Sequence, residues 1–252
     1  MRRALHAEWT KLRTVAAPRW LLLGTIVATV ALSAGATAVV PCGPATCTGD
    51  PTRLSLTGVH LGQALIVILA VLLISGEHST GLIRTTLTAT PNRTIAYAAK
   101  ALTLTTVTTA AATPAVLGSL LAGRHILSHH GHPAPPLTDA ATLRATTGTV
   151  LYLTLIALLS LGTAATLRDA ATSIGVTLAL LYLLPLLSQV IGNPHTRRLL
   201  HQLSPTTAGL TIQATTNLTA EPLTPWTGLA VTAAWATAAL TTGAILLHTR
   251  DA

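Results

Sequence analysis

The feature that most constrains this chain is the spacing of its charges. Asp, Glu, Lys and Arg make up 9% of its 252 residues, against about 25% in a soluble domain. They leave seven uninterrupted windows, at 20–49, 54–76, 101–123, 145–167, 170–196, 199–220 and 222–249. A helix needs about 20 mostly apolar residues to cross the hydrocarbon core of a bilayer. Six windows carry dense Leu, Val, Ile and Ala. The seventh, 199–220, holds two Gln, an Asn, a His, a Pro and many Thr, and is expected to re-enter or lie at the interface instead of spanning.

This pattern excludes several classes. A disordered chain needs low hydrophobicity and high charge, whereas here 50% of the residues are apolar. A secreted disulfide scaffold needs more than the two cysteines present. The net charge of +8 does not point to nucleic acid, because the cations stand singly or in pairs between apolar runs, with no basic patch interleaved with aromatics. The expected fold is therefore all-α, a polytopic membrane protein of a single domain, 1–252. Its six transmembrane helices are placed at Trp20–Val40, Thr57–Ser75, Ile95–Ala122, Ala145–Thr166, Ala170–Ile191 and Trp226–Leu247. Residues 1–18 form a cytoplasmic interfacial helix, and 192–225 an external or re-entrant segment. Pro114 and Pro185 fall inside spans and are expected to kink them.

Cations set the orientation. With the N-terminus inside, Arg2, Arg3, Lys11, Arg13, Arg19, Arg84, Arg93, Lys100, Arg168 and Arg250 lie on the inner side, and Arg53, Arg124, Arg144, Arg197 and Arg198 outside. Ten against five favours N-in and C-in, in the cytoplasmic membrane. The first span is too far from the start, and too long, for a cleavable signal peptide.

Two external loops follow from this layout. Residues 40–56 contain Cys42 and Cys47, a plausible small disulfide in an oxidising compartment. Residues 123–144 contain His125, His129, His130 and His132 in a Pro-rich setting, where a solvated loop is favoured over a metal site. All seven acids fall at or beyond span boundaries, which argues against ion-coupled transport. His60 and Gln63 are read as packing groups, and Asp169 beside Arg168, in a very short turn, as structural pairing and topology.

Two cytoplasmic stretches carry more information. In the first, Leu5, Trp9, Leu12 and Ala16 mark one helical face opposite Arg2, His6, Lys11 and Arg13, a basic amphipathic helix suited to an anionic lipid surface. In the second, Gly76-Glu77-His78-Ser79-Thr80-Gly81-Leu82-Ile83-Arg84-Thr85-Thr86-Leu87, two glycines punctuate a polar run at the membrane edge, and Ser79 and Thr80 can cap a short helix.

These stretches carry a family resemblance. Glu8-Trp9-Thr10-Lys11-Leu12-Arg13 before a span, the Gly76–Leu87 run, and Leu203-Ser204-Pro205-Thr206-Thr207-Ala208-Gly209-Leu210-Thr211-Ile212 before the last span resemble the ABC-2 type transporter permeases of high-GC Gram-positive bacteria. The layout matches over the whole chain, the motifs only in these three places. One departure is His78, where the family commonly has Tyr. The resemblance implies a permease that pairs with a second copy or a paralogue and sits on two cytoplasmic ABC ATPase subunits. It implies ATPase-coupling roles for Glu8, Trp9, Lys11 and Arg13, and for Gly76, Glu77, His78, Ser79, Thr80, Gly81 and Arg84. It also implies export of an amphiphile, antibiotic, peptide, lipid or polysaccharide.

Independently of the resemblance, the chain lacks a GxxxxGK[ST] phosphate-binding loop: its only lysines are Lys11 and Lys100, and neither sits in that frame. Any ATPase must therefore be another polypeptide, and the ATP and Mg that the resemblance implies are expected there, with no cofactor, metal site or catalytic residue in this chain. It also has no HExxH or GxSxG sequence. Two other readings stay open: a membrane scaffold or immunity protein without transport, and an ion-coupled secondary carrier.

Overall fold

The computed structural model describes residues 16–39, 49–79, 93–129 and 138–249. Among them the fold is all-helical, with no strand. We number the helices α1 (Ala16–Val39), α2 (Pro51–Ser55), α3 (Val59–Ser79), α4 (Arg93–His129), α5 (Ala140–Leu167), α6 (Ala170–Val190), α7 (Pro194–Leu203), α8 (Pro205–Leu210) and α9 (Pro225–Thr249). Five of these, α1, α4, α5, α6 and α9, are long and apolar enough to cross a membrane. The helix holding the second expected span has a shorter apolar stretch, Val59–Ile74.

The helix starts follow local chemistry. Asp50, Asp139 and Asp169 occupy the N-cap positions of α2, α5 and α6. Asp50 and Asp169 accept backbone N–H groups that have no partner within the helix. This redefines Asp169: the Arg168–Asp169 turn is built by Arg168 in the left-handed region (φ 61°), closing α5, and by Asp169 capping α6 through the Thr172 amide and hydroxyl.

Two boundaries differ from the sequence reading. The third span was expected to end at Ala122, with a histidine loop beyond it. Instead α4 runs to His129, because no proline intervenes before Pro133 and Leu127 is buried. His125 and His129 are thereby one turn apart on one face, their rings edge-on at 4.4 Å. Ala140–Arg144, assigned to the same loop, is the first turn of α5. Second, α3 continues through Gly76 to Ser79, beyond the expected end of the span at Ser75. The two prolines behave differently. At Pro114 the α-helix is uninterrupted. Before Pro185 the α-helix gives way to a π turn, Ala179–Leu183, as expected where a residue without an N–H leaves the preceding turn short of a bond.

Small residues set the helix contacts. On α1, Thr25, Thr29, Ser33 and Thr37 recur every fourth residue and are all buried. The three threonines return their hydroxyls to carbonyls one turn back. Ser33 accepts the Gly58 amide at 3.0 Å. A Cβ at Gly58 would lie 2.0 Å from the Thr29 carbonyl, and one at Gly62 2.4 Å from the Thr29 hydroxyl. Close approach of this kind is how helices associate where the surroundings are as apolar as the side chains. The α5–α9 pair is built alike: a Cβ at Gly162 would meet the Ala239 carbonyl carbon at 2.4 Å.

Helix α5 is the centre of the fold. Of its most apolar stretch 61% is buried, against 22% for α1, 22% for α9 and 17% for α6. The apolar exterior of α1, α6 and α9 is what a membrane-embedded helix presents to lipid. Lys100, counted among the inner flanking cations, lies two turns into α4 and is 8% exposed.

The segment between α6 and α9 forms no helix long enough to cross a membrane. Helix α7 is amphipathic and has no buried residue, while the stretch 204–214 turns inward and is almost wholly buried. Three glycines admit it: Cβ atoms at Gly148, Gly209 and Gly228 would strike Ile212, Tyr152 and the Ala208 carbonyl.

Candidate functional site

Of the residues expected to couple to an ATPase, Gly76, Glu77, His78 and Ser79 fall among the described residues. Glu8, Trp9, Lys11 and Arg13 lie outside the described residues, as do Thr80, Gly81 and Arg84, and Cys42 with Cys47. Gly76, Glu77, His78 and Ser79 are the last helical residues of α3.

What is brought together lies at one end of the bundle, here termed the tied end. Its hub is Asp50. Besides capping α2, its carboxylate accepts the Thr215 hydroxyl at 2.7 Å, the Thr216 amide at 3.1 Å and the Thr215 amide. Burial pushes this carboxyl up, but hydrogen bonds from Thr215, Thr216 and Arg53 outweigh it and hold it below the ordinary value of 3.8. Beside it, Arg53 pairs with Glu221 at 2.6 Å, and the Arg144 guanidinium donates to the Ala214 carbonyl. Three long-range links thus fasten the α2 region and the start of α5 to the stretch 214–221.

Below this seam is a cavity of about 490 Å³ between the start of α3, the second half of α6 and the buried α8 segment. His60, Tyr182, Gln189, His201 and Gln213 give it polar walls, and Leu181, Pro185, Leu186 and Leu210 apolar ones. Arg53 and Glu221 stand at its edge. A second cavity of about 500 Å³ shares Gln189, His201 and Pro222 with the first and adds Ser188, Arg197 and Arg198.

A polar cluster adjoins the first cavity and reaches its wall through Tyr182 and Thr206. Tyr152 donates to Gln63 Oε1, and Tyr182 to the His60 carbonyl. Gln63 and His60, read from sequence as packing groups, thus tie α3 to α5 and α6. Gln63 Nε2 and Thr206 Oγ1 are buried without a well-formed hydrogen bond, although each lies against a tyrosine hydroxyl, of Tyr182 and Tyr152 respectively.

The cavity escaped the sequence reading because its walls come from residues 53–60, 181–189, 201–213 and 221–222, and nothing local marks their convergence. The one usable signal was the polar character of 199–220, a segment too polar to face lipid and too apolar to stay in water. A cavity with both polar and apolar walls is suited to binding. Comparison with protein-family models finds no match, and comparison with curated proteins finds none.

Proposed function

We propose that this chain is the permease subunit of an ABC exporter in the cytoplasmic membrane, driven by separate ATPase subunits and working as a pair with a second copy or a paralogue. In this reading α3 is the second of six spans, both chain ends are cytoplasmic, and the path for an amphipathic or apolar substrate forms between the two permeases. The observation that carries the proposal is the polar run Gly76–Leu87, with its resemblance to ABC-2 permeases, in a chain without an ATP-binding loop of its own.

The mechanism proposed is mechanical. ATP-driven closure of the ATPases pushes on Gly76–Thr86 and on the N-terminal helix. Because Gly76–Ser79 continue α3, that push reaches the bundle along a helix axis. Glu77 and Arg84 hold the shape of the receiving segment.

The test uses the full chain purified with its ATPase from native membranes and reconstituted in lipid vesicles. ATP-dependent export is expected, independent of any ion gradient. Glu77→Ala is expected to abolish it while the complex still co-purifies. Wild-type export by that variant sinks the coupling assignment. Activity that follows a proton or sodium gradient and ignores ATP would instead identify a secondary carrier.

A further inference from the structure

Helix α7 is held in place by three contacts outside itself or at its cap. Asn193 caps its start by accepting the His195 amide at 3.0 Å. Gln202 donates to the Pro222 carbonyl at 3.3 Å, and the Trp235 indole to the Leu203 carbonyl at 2.9 Å. Its apolar residues Leu199 and Leu203 are 42% and 59% exposed, and Arg197 and Arg198 lie on its polar side. A fixed amphipathic helix with exposed leucines and cations is suited to the membrane interface.

The two arginines open onto the second cavity, which joins the first through Gln189 and His201. Across both, three arginines face one glutamate, and that glutamate is already paired with Arg53. The mouth therefore carries uncompensated positive charge. Beyond Gln189 the wall turns apolar through Leu186 and Pro185, and Leu186 is itself 56% exposed on α6. A slot that is cationic at the interface and apolar along a lipid-facing helix matches a molecule with one anionic and one hydrocarbon end.

We propose that this slot binds a membrane amphiphile with an anionic phosphate or carboxylate headgroup, the headgroup on Arg197 and Arg198 and the chain along α6 from Gln189 toward Pro185. A free anion would use the arginines and leave the apolar wall unused, so the membrane lipid is the occupant. The site does not depend on the transport reading and is tested without it.

The measurement is native mass spectrometry of the full chain in mild detergent with added phosphatidylglycerol or phosphatidylcholine. Two interfacial arginines predict about a tenfold or greater preference for the anionic lipid. Arg197→Ala with Arg198→Ala, both exposed positions, is expected to bring the two lipids to parity. Arg19→Ala on α1 is expected to change nothing. Gln189→Trp fills the slot without altering charge and is expected to lower retention of phosphatidylglycerol. Parity of the two lipids in the unmodified protein overturns the proposal. So does a preference that survives the double substitution, or retention undiminished in Gln189→Trp, which would place the lipid on the general surface. Displacement of the lipid by equimolar inorganic phosphate would also overturn it, showing a free-anion site.

Discussion

The two ends of the bundle are fastened differently. At the tied end, Asp50, Arg53 and Arg144 reach across 70 to 168 positions of sequence to Thr215, Glu221 and Ala214. At the opposite end, the α5–α6 turn is closed locally: Asp169 caps its own helix through Thr172, three residues on. The first arrangement fixes helices relative to one another. The Asp169 cap fixes its own turn. In a permease pushed from the cytoplasm, links between helices at the tied end would give that force a fixed seam to work against.

The largest effect should come from the contact on which both ends depend, the α5–α9 pair. Gly162→Ile places a side chain where a Cβ alone would lie 2.4 Å from the Ala239 backbone. It should cost about 3 kcal/mol, the upper range for overpacking. Loss of folded protein on thermal unfolding in detergent checks this, and an unchanged midpoint would mean that the helices are not this close.

Asp50→Ala should come next, at about 2 kcal/mol, because it removes a helix cap and strands the Thr215 and Thr216 amides. The matching change at the other end, Asp169→Ala, should cost less, since its carboxylate is solvent-exposed and its partners can turn to water. Equal losses from the two aspartates would erase the distinction between the ends.

Acid should sharpen the same comparison. The Asp50 carboxyl is held below 3.8 in the folded chain, so its ionised form contributes stability above that value. The contribution is lost as pH falls through the lower, folded pKa. Unfolding midpoints of the parent and of Asp50→Asn should therefore converge on acidification from neutral pH, the parent losing more. A gap that stays constant would show that ionisation of Asp50 contributes nothing.

The smallest effect belongs to Arg53→Ala. The Arg53–Glu221 pair is half exposed on the arginine side, and such pairs are worth about 0.5 kcal/mol. A double-mutant cycle with Glu221→Ala measures that coupling, and a value several times larger would make the pair a principal fastener of the seam.

The helical core was legible because its signal is local. Charge-free windows announce apolar helices, and the aspartates that cap α2 and α6 lie at the windows' edges. The non-spanning character of 199–220 was legible from its glutamines and threonines. Its burial was not, because that depends on Gly148 and Gly228 clearing space on two other helices and on Gly209 within the segment. The length of α4 was misjudged since histidines next to prolines resemble a loop, while buried Leu127 extends the helix. The Asp50–Thr215 hub and the cavity below it are long-range, and single-sequence periodicity holds no trace of them. The coupling segments expected at Glu8–Arg13 and Thr80–Arg84 lie outside the described residues.

The central claim is that the tied end faces outward while the end that receives force faces the cytoplasm. It is tested most directly by thiol labelling of intact cells, with Cys42→Ser and Cys47→Ser as background. A cysteine at Thr219, exposed at the tied end, or at Ala171, exposed at the opposite turn, is offered to a membrane-impermeant maleimide. The account predicts that Thr219→Cys labels in intact cells and that Ala171→Cys labels only after permeabilisation. The reverse pattern would put Gly76–Thr86 outside, beyond the reach of any cytoplasmic ATPase, and would contradict the permease assignment.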